Sequence, residues 1–153
     1  VIVFLRPLGL RLVDSFLPEI ADIWVEDIRN IEIAELTCMN LFQNLPYAPA
    51  KSFHWIADER EYVQVCGFLT IARLLMKKGD MNERVENEFL DQAVTAFVSG
   101  SYHVRNAAMA AIRRFMQHNE ENAFQVCRRV EAMENSSQEA EQLLYKLVKE
   151  ELD

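Results

Sequence analysis

Glycine and proline are scarce in this chain, with four of each among 153 residues. So few backbone punctuators exclude a loop-rich or low-complexity chain, and a hydrophobic fraction of 50% excludes an intrinsically disordered one. No apolar run approaches the roughly eighteen residues that a membrane helix needs. The apolar start VIVFL meets Arg6 and Pro7 too soon for a secretory h-region. A cytoplasmic protein is therefore expected, with no membrane partner.

Cysteine is also rare. Cys38, Cys66 and Cys127 are three in number, far apart, and include no CxxC pair. That argues against a disulfide framework and against a zinc site, and the plain reading is three small buried side chains. His54, His103 and His118 lack metal-ligand spacing, and neither a glycine-rich phosphate loop nor a G-x-S-x-G elbow is present. No metal or cofactor is expected.

Positive charge is in short supply overall, with a formal net charge of −8. A strongly acidic chain repels nucleic acid unless its few cations are gathered on one face. Residues 101–130 gather them, with five arginines and two acids. Most of the remaining acids crowd into 14–35, 80–91 and 131–153, which suggests one basic face on an acidic body.

What the chain does have is helical periodicity. The pattern predicts helices over 19–28, 31–44, 49–58, 60–78, 82–99, 101–118, 120–133 and 137–151, and no convincing strand. Pro18 suits a helix start, Pro46 and Pro49 bracket a loop, and Lys78-Gly79-Asp80 and Ser99-Gly100 read as stops. Asn135-Ser136-Ser137 offers capping groups before the last helix. Short connections make neighbouring helices antiparallel.

Alternate helices share a stripe. Ile33 is followed by Leu36, Thr37 and Leu41; Val63 by Cys66, Gly67 and Ile71; Val104 by Ala107, Ala108 and Ile112. Intervals of about 30 and 40 residues are those of helical repeats, in which each helix pair needs its neighbours to bury its apolar face. The expected fold is all-α, an α-solenoid or α-α superhelix of HEAT-like antiparallel pairs filling 1–153 as one domain. VIVFLRPLGLRLVDSF is too apolar to cap such a stack. Residues 1–18 are expected to be irregular or a remnant helix after lost repeats, leaving an exposed apolar patch or a homodimer contact there.

Within SYHVRNAAMAAIRRF, residues 101–115, small side chains dominate one face, and Arg105 borders it about 20° from Ile112. This segment, together with FHWIADEREYVQVCGFLTIARLLMKK at 53–78, resembles the DNA alkylation repair family, the AlkD-like HEAT-repeat DNA glycosylases. Trp55, Glu59, Tyr62 and the helix running to Lys77-Lys78 follow the order of one family motif, and Tyr102, Val104, Arg105, Ala107 and Arg113-Arg114-Phe115 that of another.

The resemblance implies release of cationic N-alkylated purines from duplex DNA held in a concave basic groove. Glu59 would stabilise the oxocarbenium character of the sugar, and Trp55 would press its ring on the lesion. Arg105 would grip a phosphate beside the lesion, with Tyr62, Arg113 and Arg114 also on the DNA.

A plainer reading stands beside it. Trp55 can be core between repeats, Glu59 a solvated acid, Arg105 the partner of Glu88 or Asp91, and the paired arginines an ordinary surface. Gln64 and Val65 stand where the family has arginines, and Asn106 and Ala110 where it has lysine and tryptophan. Those departures motivate the alternative, a non-catalytic HEAT-like scaffold binding nucleic acid or protein, while the glycosylase-like reading is the one expected.

Overall fold

The computed structural model describes residues 17–77 and 81–153, which form eight α-helices and no strand. They are α1 (Pro18–Asp27), α2 (Ile31–Asn40), α3 (Ala48–Ile56), α4 (Glu61–Met76), α5 (Glu83–Ser99), α6 (Tyr102–His118), α7 (Glu120–Val130) and α8 (Glu139–Leu152). Single 3₁₀ turns, Phe42–Asn44 and Glu131–Met133, extend α2 and α7, so two expected long helices are α-helices with tightened ends. The expectations for residues 1–16 and for the Lys78-Gly79-Asp80 stop lie outside the described residues.

Side-chain caps define half of the starts. Asn30, Asn82 and Asn119 accept from the backbone N–H groups of Ile33, Val85 and Asn122 at 2.9, 2.9 and 2.7 Å. Each fills one of the four donor positions that a helix leaves open at its N-terminus. Before α8, Ser136 does this work from outside the helix. Its Oγ accepts from the backbone of Gln138 at 3.1 Å and donates to Glu141.

Alternate helices stack: α4 packs beside α2 on one side and α6 on the other, and it also contacts α1 and α3. The repeated stripe lies in this row. Val63, Cys66, Gly67, Ile71, Val104, Ala107, Ala108 and Ile112 are all buried, whereas in α2 only Thr37 and Leu41 of the stripe are. α3 packs on α4 and α5, α5 pairs with α6, and α7 and α8 complete the C-terminal end. The architecture is a helical-repeat stack, as the alternation of apolar stripes implies.

Small residues set its spacing. A Cβ at Gly67 would stand 2.7 Å from both the backbone N and Cγ2 of Ile56, so α4 lies directly against α3 there. Five phenylalanines, Phe42, Phe68, Phe89, Phe97 and Phe115, are fully buried. Each contributes about 1.5–3 kcal/mol of transfer free energy before ordering costs. Phe89 of α5 and Phe115 of α6 meet at 5.4 Å in a tilted pair.

Candidate functional site

Trp55 is on the last turn of α3 and is 3% exposed. Its ring packs 4.9 Å from that of Phe42, and its indole N–H donates to Asp22 Oδ1 of α1 at 3.0 Å. The indole is packed in the core, whereas the resemblance implied a ring turned toward a nucleotide. Lys51 holds the same Asp22 carboxylate. Burial pushes Asp22 upward, but the hydrogen bonds from Lys51 and Trp55 outweigh it and leave the carboxyl below its usual range.

Glu59 is exposed in the connection between α3 and α4. Its neighbours are the engaged groups there: Asp58 binds Arg60 at 2.8 Å, and Arg60 reaches Glu26 at 2.9 Å. The hydrogen bond from Arg60 holds Asp58 below the ordinary carboxylate range.

Arg105 is half-buried near the start of α6. Its Nε donates to the carbonyl of Phe97 at 3.0 Å, and its guanidinium lies 5.4 Å from the centroid of the Phe97 ring. Phe97 is in the last turn of α5, where carbonyls have no partner further along the helix. The Gly100 N–H takes the Ala96 carbonyl at 2.8 Å, and Arg105 takes the next one. A cation at a helix C-terminus also opposes the negative end of the helix dipole. The plainer expectation, an ion pair with Glu88 or Asp91, is thereby corrected. Glu88 pairs with Arg84 and Asp91 with Arg129.

The connections before α4 and α6 lie side by side. Ser101 Oγ donates to Glu61 Oε1 at 2.7 Å, and the Tyr62 and His103 rings are 6.0 Å apart. Glu59, Tyr62 and the start of α6 therefore share one end of the stack. Arg113 and Arg114 follow Arg105 by about 12–14 Å of helix axis. There Arg113 pairs with Glu151 at 3.3 Å, and Arg114 donates to Gln117 at 3.3 Å. The cations of 101–130 are largely engaged with neighbours: Arg129 binds Asp91, and Arg128 lies 5.8 Å from the Phe124 ring.

Sequence reasoning missed the groove between α2 and α4. It has a volume of about 590 Å³, lined by Glu32, Glu35, Leu36 and Met39 of α2 and by Leu69 and Arg73 of α4. The signal was available: Leu36 is in the shared stripe yet only half-buried, unlike its counterparts Cys66 and Ala107. Among the described residues no group of three His, Cys, Asp or Glu side chains is placed to hold a metal ion, and no helix is long and apolar enough to cross a membrane.

No protein-family model and no curated protein matches the sequence. Among solved structures the chain is similar to a designed armadillo repeat protein, with 19% sequence identity and a TM-score of 0.48. The match covers 84% of this chain and 62% of that one, so the chain spans less than two thirds of the length of its structural neighbour.

Proposed function

We infer that the chain is a non-catalytic helical-repeat scaffold that binds a protein partner in the groove between α2 and α4. The observation that carries this reading is the burial of Trp55, whose N–H is committed to Asp22. With that ring in the core, a reading that joins an indole, an acid and a guanidinium on one surface loses its support. The net charge of −8 and the engagement of Arg113 and Arg129 by acids leave few cations for phosphates. The groove instead combines apolar side chains with two acids and an arginine, the mixture through which protein segments are held.

The second reading is a DNA alkylation repair protein with glycosylase-like activity. Its support is that Glu59 and Tyr62 stand at the same end of the stack as the start of α6, so an exposed acid and an aromatic adjoin the Arg105 segment. Self-association through the N-terminal region is a further proposal, supported by Leu17 and Ile23, each 58% exposed at α1. A cytoplasmic setting is supported by three cysteines that are not in disulfides.

Two measurements on the whole chain separate the readings. Incubation with methylated duplex DNA is expected to release no base above the level of Glu59→Ala. Duplex binding followed by anisotropy across a salt series is expected to show no measurable complex. Base release that Glu59→Ala abolishes, or binding with a steep salt slope, overturns the scaffold reading.

A further inference from the structure

Cys38 and Cys66 are separated by 28 positions in the chain, yet they meet in the fold. Cys38 is on α2, and its Sγ lies 3.5 Å from the Cys66 carbonyl of α4. They are 1% and 0% exposed. The sequence reading of small buried side chains holds for both of them, and the half-buried Cys127 stands apart on α7.

Two further observations make the pair more than packing. Cys38 also forms part of the wall of the α2–α4 groove, and Cys66 does not. Thr70 is four residues beyond Cys66, one turn along the same face of α4. Among the described residues, its Oγ1 is the one buried side-chain polar atom with no hydrogen-bond partner. A buried hydroxyl without a partner is costly, and it is a ready donor to any oxygen that forms beside it.

We propose that Cys38 and Cys66 are an oxidation site for hydrogen peroxide, closing to a disulfide that ties α2 to α4 behind the groove. As its proton leaves, the Cys38 sulfur attacks one peroxide oxygen. The O–O bond breaks, Cys38 becomes a sulfenic acid, and the other oxygen leaves as water with the thiol proton. The Thr70 hydroxyl donates to the new oxygen. The Cys66 sulfur then attacks the Cys38 sulfur, the S–O bond breaks, and the hydroxyl leaves as a second water with the Cys66 proton. Two thiols and one peroxide thus become one disulfide and two waters. The hydrogen bond with Cys38, and then burial, push the Cys66 thiol up. Cys66 therefore keeps its proton until the second step, and the place of Cys38 in the groove lining gives it the first attack.

The test uses the whole chain carrying Cys127→Ser, which removes the remaining thiol. On exposure of the folded protein to peroxide, Cys38 and Cys66 are expected to disappear together. The protein should stay monomeric, lose two hydrogens in mass and yield one crosslinked peptide, with a raised Tm that dithiothreitol reverses. Peroxide together with a sulfenic-acid trap on Cys66→Ala in the same background is expected to label Cys38. Two free thiols after treatment of the folded protein, closure only in denaturant, or no label at Cys38 overturns the proposal.

Discussion

The Trp55 indole N–H and the Asp22 carboxylate join α3 to α1 at 3.0 Å. A buried indole needs such an acceptor, since an unpaired N–H in the core costs about 1–3 kcal/mol. Trp55→Ala is expected to lower stability by about 3–5 kcal/mol through the cavity it leaves. Trp55→Phe keeps most of the ring volume and should cost roughly half as much or less. Urea denaturation checks both. Equal losses would mean that volume contributes little at this position.

Acid sensitivity follows from two carboxyls. Asp22 and Asp58 both have depressed values in the fold, below the ordinary 3.8. Depressed groups contribute stability that is complete above the unfolded value and is lost as pH falls through the folded one. Tm is therefore expected to fall as pH drops below about 4. Asp22→Asn keeps an oxygen for the indole N–H and removes the titration, so the fall should be shallower in that variant. A thermal series from about pH 5 down to pH 2 measures it.

Arg105 is expected to act on stability rather than on ligand binding. Arg105→Ala leaves the Phe97 carbonyl without its partner and removes the stem packed on the ring, a loss of about 1–2 kcal/mol for a half-buried charged donor. Arg105→Lys should recover only part, because an ammonium has no planar fork to lay along the ring while it donates. Chemical denaturation reads both variants. If Arg105→Ala were as stable as the parent, the cap at the end of α5 would contribute nothing.

Gly67→Ala offers a contest between two effects. Alanine in a helix interior is favoured over glycine by about 1 kcal/mol. Against that, the new Cβ would meet the Ile56 backbone N at 2.7 Å and the Ser52 carbonyl O at 3.0 Å, and main-chain atoms cannot swing aside. The clash should win, with a net loss of about 1–3 kcal/mol by thermal or urea unfolding. A stabilised variant would show that α3 and α4 separate freely.

Legibility in the sequence followed the range of the interactions. The eight helices and their alternation were readable, because capping groups such as Asn30 and apolar spacing such as Val104, Ala107, Ala108 and Ile112 act within a turn or two. With the two 3₁₀ turns counted, their boundaries agree with the structure to within about two residues. The candidate site was far less readable. Trp55 and Arg105 are each compatible with a surface role when only near neighbours are known.

Local periodicity thus determined by itself that this chain is helical, that alternate helices carry matching apolar stripes, and that a row of them must stack. The fold alone decided that Asp22 accepts the indole N–H of Trp55, that the Phe97 carbonyl accepts from Arg105, and that Cys38 lies against Cys66. The reason is physical. Helix propensity and amphipathic spacing are short-range properties written along the chain. The partner of a buried polar group is whatever the packing of distant segments brings within about 3 Å of it.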